Sequence, residues 1–206
     1  MKSLLFTAGV LTAGLLCAQE GPRVSFNVGG GFTPLVGNTS RRLDTGWNVQ
    51  GGVGANFTSR LGAMVQFQYN GFGINERTLT QFGVPDGDVS LWSLTLNPIV
   101  HLNPRGPVDW YFIGGGGLYS RTQRFTEPGV AVFTGFDPFF GFYPVAVPTN
   151  NILAEYTLMK PGVNFGGGLS FGTPWKAKFY AEARYHRMLM RDTHTDLIPV
   201  NFGLRW

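Results

Sequence analysis

From Arg23 to Trp206 apolar and polar residues alternate with a period of two, and helical periodicity is almost absent. Eight segments carry the pattern. In the first, residues 23–32, Val24, Phe26, Val28 and Phe32 share one face and Ser25, Asn27, Gly29 and Gly31 the other. Residues 46–57 set Trp47, Val49, Val53, Ala55 and Phe57 against Asn48, Gln50, Gly52, Gly54 and Asn56. Residues 61–71 set Leu61, Ala63, Val65, Phe67 and Tyr69 against Gly62, Met64, Gln66, Gln68 and Asn70. The fourth segment, 88–102, has Trp92, Leu94, Leu96, Val100 and Leu102 on its apolar face, with Pro98 inside it predicting a bulge. The others are 108–121, built around Gly114–Gly117, then 158–171, 178–189 and 196–206. The register of the fifth is open from sequence, and its glycines are read first as a source of curvature, with close packing as the alternative.

The connections sort by length. Those after the second, fourth and sixth segments are short; those at 33–45, 72–87 and 122–157 are long. Short turns at one end and long loops at the other suit an up-and-down sheet closed on itself. A face of Val, Leu and aromatics against a face of Asn, Gln, Ser and Gly suits lipid outside and a filled polar interior. Segments of about ten residues match a tilted strand crossing a bilayer, and an even number leaves no open edge in lipid. The pattern predicts an all-β fold: an eight-stranded antiparallel up-and-down transmembrane β-barrel with both ends of the chain on the short-turn side.

Composition supports this. Charged residues are only 14%, glycines number 30 and aromatics reach 15%, against roughly 25% charged in ordinary globular domains. Past the N-terminus no run approaches the roughly 18 apolar residues of a spanning helix. The net charge of +4 comes from scattered basic residues, which argues against nucleic acid as a partner. Residues 1–18 read as a cleavable signal peptide: Lys2, an apolar stretch from Leu4 to Leu16, and cleavage after Ala18. Residues 19–206 then form a single barrel domain. Cys17 is the one cysteine and leaves with the signal, so the mature chain carries no disulfide and no cysteine metal site.

Candidate chemistry lies on the inward parity. Tyr180, Glu182, Arg184 and His186 alternate with Phe179, Ala181, Ala183 and Tyr185. Arg23, Asn201 and Arg205 share the inward parity on strands that become neighbours at closure. An eight-stranded barrel is just wide enough for side chains to fill it, so Arg23, Glu182, Arg184, His186, Asn201 and Arg205 are expected to form a plugging polar network. A proton-active or ion-selective lumen is the alternative. Acyl-transfer chemistry would need Ser, His and an acid converging at the outer rim. His101 falls at the opposite end, and no serine adjoins His186 or His194, so the chain is read as non-enzymatic. Asp86, Asp88, Asp192 and Asp196 lack calcium-loop spacing, and neither metal nor cofactor is expected. The loop 122–157 holds Phe125, Phe133, Phe136, Phe139, Phe140, Phe142 and Tyr143, far more apolar surface than loops normally expose. It is read either as a strand extension or lid, or as a sticky surface for a ligand, a partner or the outer leaflet.

Eight alternating segments after an export signal, "FYAEARYHR" in the penultimate segment and "IPVNFGLRW" as the last resemble the small outer-membrane β-barrel family of Gram-negative bacteria, loosely the OmpA transmembrane domain, OmpX and OmpW. The resemblance covers the whole chain and implies a cell outer membrane location. It implies that Phe202, Leu204 and Trp206 act as the C-terminal signal read by the barrel-assembly machinery, and that outer-membrane lipid and lipopolysaccharide are partners. No appended peptidoglycan-binding domain of the OmpA type is expected. The expected role is structural or interactive through the outer loops, with an unknown extracellular partner. A narrow, porin-like conduit for small hydrophobic molecules stands second and a lipid A-modifying enzyme third.

Overall fold

The computed structural model describes residues 23–37, 40, 42–83, 85–172, 177–190 and 195–206. The signal segment, and with it Cys17, lies outside the described residues, as do Asp192 and His194. The elements are β1 (Arg23–Thr33), β2 (Gly46–Asn56), β3 (Leu61–Gly73), α1 (Glu76–Phe82), β4 (Asp86–His101), β5 (Val108–Asp137), β6 (Gly141–Gly172), β7 (Lys178–Met188), β8 (Thr195–Leu197) and β9 (Val200–Arg205). From β1 to β7 each strand pairs antiparallel with the next, β7 pairs with β9, and β9 pairs with β1. The ring is therefore closed. Phe26 and Trp206 exchange backbone hydrogen bonds of 2.7 and 3.0 Å at the seam.

β8 and β9 are two halves of one strand. Leu197 faces His186 and Val200 faces Ala183, in one unbroken register on β7. The predicted continuous strand is interrupted at Ile198-Pro199 because proline has no N–H to give to the ladder. The Pro199 carbonyl still accepts from the Arg184 N–H at 3.1 Å. With these halves counted together the barrel has eight strands, as the alternation predicts. Pro98 behaves in the same way. The expected bulge is absent: the β4–β5 register is identical on both sides, and only Asn97 and Pro98 lack paired partners in β5.

The alternation sorts residues as expected. Val24, Phe26, Val28, Trp47, Phe67, Leu96 and Phe112 are exposed on the outer face, whereas Asn27, Asn48, Gln66, Asn97 and Asn164 are buried inside. The glycine run of β5 lies where that strand meets β4 and β6. A Cβ on Gly115 would run into the Leu96 carbonyl oxygen and one on Gly117 into that of Leu94, whereas Gly114 and Gly116 face outward with carbonyls at 3.1 and 3.2 Å. The run thus permits close backbone approach on its inward positions. Gly115→Ala and Gly117→Ala are each expected to cost about 1–3 kcal/mol through overpacking. Gly114→Ala and Gly116→Ala should cost less. Denaturant midpoints of the four variants in lipid vesicles check the order, and equal midpoints would refute it.

Two features shape the outer end, and one of them departs from the sequence reading. The segment 72–87 contains a helix. α1 is capped by the Asn75 side chain, which accepts from the Arg77 N–H, and ends at Gly83 in the left-handed region with φ of 66°. In the segment 122–157 the strand-extension reading holds: β5 and β6 run on as a paired ribbon to the Asp137↔Gly141 pair. A bulge falls between Phe125 and Thr126, whose partners are Ala154 and Ile152, leaving Leu153 as the extra residue. Below it Glu155 is on the outward parity and bonds Arg124 at 3.0 Å, outside the apolar band. That Glu155 hydrogen bond and charge hold the Arg124 guanidinium above its ordinary pKa.

Candidate functional site

The interior is layered. In the middle, β7 projects Glu182 and Arg184 inward, both almost fully buried. Arg184 Nη2 lies 2.7 Å from Glu182 Oε1, and Tyr111 donates its hydroxyl to Glu182 Oε2 at 2.9 Å. Arg184 also donates to Gln66 Oε1 (2.8 Å) and Gln50 Oε1 (3.0 Å) on the far wall. Asn97 donates to the same Gln66 oxygen at 2.8 Å, and Asn164 donates to Asn97 at 2.9 Å. The chain of bonds therefore crosses the lumen from β7 to β2 and β3, and returns through β4 to β6. Arg205 approaches Glu182 at 3.8 Å, and its guanidinium stacks on Tyr111 and Tyr180, 4.5 and 5.2 Å from their ring centres.

His186 and Asn201 are also buried inside. His186 Nδ1 bonds the Tyr119 hydroxyl at 2.9 Å, above the charged layer. Asn201 has, among the described residues, no direct partner for either side-chain polar atom. Only the backbone of Arg23 is described, facing Asn56 across the β1–β2 ladder. Glu182, Arg184 and Arg205 thus form one cluster, whereas His186 and Asn201 adjoin it without bonding to it.

Above this layer the lumen turns apolar. Phe72, Val89, Leu91, Tyr119, Met188 and Leu197 point inward from the strand tops and pack with Ile74 and with Leu79 of α1; Leu35, Leu43 and Phe125 lie against them. This apolar cap lies at the outer mouth. The sequence reading missed it, yet the adjacent pair Leu91-Trp92 breaks the alternation and signals apolar residues on both faces. Phe125 consequently belongs to the cap and not to the exposed aromatic group.

At the other end a cavity of about 150 Å³ opens among Ser25, Asn56, His101, Asp109, Lys178 and Arg205. His101 Nδ1 and Asp109 Oδ2 meet at 2.5 Å there. Ser170 also lines the cavity. Among the described residues no group of three or more His, Cys, Asp or Glu side chains could hold a metal.

The remaining aromatics crowd the projecting ribbon. Val130, Val132, Phe136 and Phe142 are exposed on the face that continues the barrel's outside, and Phe133 and Tyr143 on the other. At the tip Asp137 Oδ1 accepts from the backbone N–H groups of Phe139 (2.8 Å) and Phe140 (3.1 Å), and Gly141 turns the chain at φ 77°. Phe202 and Trp206 stand exposed on the outer face of the seam, with Leu204 half-buried between them.

Solved structures share this architecture. A major outer membrane protein from Thermus thermophilus is 10% identical, with a TM-score of 0.63 over 91% of this chain and 99% of that one. Neisserial surface protein A is 14% identical, with a TM-score of 0.57 over 90% and 98%. The Yersinia pestis attachment invasion locus protein Ail, solved with the heparin analogue sucrose octasulfate, is 19% identical, with a TM-score of 0.50 over 91% and 100%. No curated protein matches the chain. The family of outer membrane protein beta-barrel domains matches residues 6–205. The chain belongs to that family, and its place is the outer membrane.

Proposed function

We propose that the protein is a non-conducting, non-enzymatic attachment barrel whose ribbon carries the contact surface. The observation that carries this reading is the ribbon itself. It continues past the last β4 pair, Asp86↔Thr126, as a regular ladder to Asp137↔Gly141 and leaves its aromatics uncovered. A folded monomer rarely keeps an apolar patch of that extent without a use for it. The filled lumen supports the same reading, because the cross-lumen bonds and the apolar cap leave the barrel wall as a support for what projects from it. Ail is an attachment protein crystallised with a sulfated heparin analogue. Here, however, the ribbon from Thr126 to Ala154 carries no lysine or arginine, so a polyanion is a poor match for it.

Replacing Glu127–Asn151 by an Asn-Gly turn tests the reading. The shortened barrel is expected to fold, shown by different gel mobility before and after boiling. Cells displaying it should lose adherence at least about tenfold, the loss of one good contact. Undiminished adherence would overturn the proposal. In planar bilayers the intact protein is expected to give no conductance steps; regular steps would favour a conduit.

A further inference from the structure

We propose that the ribbon tip is a membrane-contacting anchor, which seats its aromatic side chains in the headgroup boundary of a phospholipid bilayer facing the cell. This rests on the attachment reading and names its partner. Three observations favour lipid over a protein groove. First, apolar side chains occupy both faces of the ribbon and its tip: Phe136 and Phe142 pair on one face, Phe133 and Tyr143 lie on the other, and Phe139 and Phe140 cap the end. A groove covers one face, whereas a lipid interface wets all of them. Second, Phe139 and Phe140 are 91% and 87% exposed, on a turn whose backbone N–H groups are already bound by Asp137. Two donors of the tip backbone are therefore already satisfied without water. Third, Glu127 and Asp137 are the only charged residues between Thr126 and Ala154, and Asp137 is engaged by the turn. Nothing here selects an anionic surface, so a zwitterionic one suffices.

The edges limit the depth. Beyond Thr126 the ribbon has two open edges, and unpaired backbone groups are not tolerated in hydrocarbon. Pro128, Pro144 and Pro148 remove three donors, but the rest remain. Only the segment from Phe136 to Tyr143 can therefore enter, to the depth of roughly 5–10 Å typical of interfacial anchors. From Thr126 to Asp137, at about 3.4 Å per residue, the ribbon is roughly 40 Å long, a reach sufficient for a bilayer other than its own.

The test uses the full barrel in nanodiscs, with Phe139→Trp as a reporter and phosphatidylcholine vesicles as the probe. Bromine-labelled lipid is placed either in the vesicles or in the nanodisc, and quenching is read as the excess over the parent protein, whose Trp47, Trp110 and Trp206 already face the nanodisc lipid. Quenching and a blue shift with brominated vesicles are the expected result. Phe139→Ser/Phe140→Ser should weaken vesicle flotation roughly a hundredfold, the partition of two phenyl groups. Quenching only from brominated nanodisc lipid would overturn the proposal by placing the tip in its own membrane. No quenching from either, with adherence still lost in the double-serine variant, would overturn it in favour of a protein partner and leave the attachment reading standing. No quenching with adherence intact would sink both.

Discussion

Replacing Glu182 with alanine is expected to remove about 3–5 kcal/mol of folding stability, the cost of stranding buried opposite charge. Among the described residues its carboxylate is the one acidic group in the central layer; it faces Arg184 at 2.7 Å and Arg205 at 3.8 Å, and it accepts from Tyr111. Without it two guanidinium groups share one low-dielectric compartment, and Tyr111 loses its acceptor. Glu182→Gln keeps the shape and one acceptor, so it should fall between alanine and the parent. The triple change Glu182→Leu, Arg184→Met, Arg205→Met should recover most of the loss, because removing a whole buried ion cluster is often neutral or better. Denaturant unfolding in vesicles, followed by the gel mobility shift, measures all three. An alanine variant with an unchanged midpoint would show that water, and not Glu182, balances the arginines.

The second large effect concerns the outer face. Leu96→Arg, on the exposed mid-height row of β4, is expected to cost about 2–4 kcal/mol, the value for arginine near the bilayer midplane. Ser90→Arg lies on the same face and the same strand, beyond Trp92, and should cost about 0–1 kcal/mol, because near the interface the side chain reaches water. Leu96 is exposed and pairs with Val65 and Gly116, whereas Ser90 pairs with Gly71 and Thr122. The contrast tests the membrane placement itself. A soluble protein would tolerate arginine equally well at both sites, and equal midpoints would contradict the placement of the apolar band.

Much of the barrel was legible because the side-chain period of a strand survives any uncertainty about its ends. Val24, Phe26 and Val28 announce their face wherever β1 begins. Glu182, Arg184 and His186 were readable as inward residues by the same rule, although parity cannot say which bonds form. That Arg184 would reach Gln50 and Gln66 depends on the stagger of the closed ring, which no single segment encodes. The illegible parts each broke the period or imitated a loop. Leu91 beside Trp92 suspends the alternation, which hid the cap. The bulge at Leu153 inverts the parity of the upper β6, and Pro128, Pro144 and Pro148 left a strand extension and a loop equally readable over residues 122–157. The helix had its signal in Asn75 and Gly83, but a seven-residue helix offers too few turns for periodicity to speak.

The hydrogen bonds between Phe26 and Trp206 join the two extremes of the described chain. Every other wall ladder is made between strands adjacent in sequence and can form progressively as the polypeptide emerges. The seam alone needs the final strand, and it brings the largest loop-closure entropy with it. Folding of this protein therefore has a kinetic bottleneck at a single place, and until β9 docks on β1 both edges remain open to a neighbouring chain. Conditions that slow that docking should raise aggregation long before they lower the stability of barrels already closed.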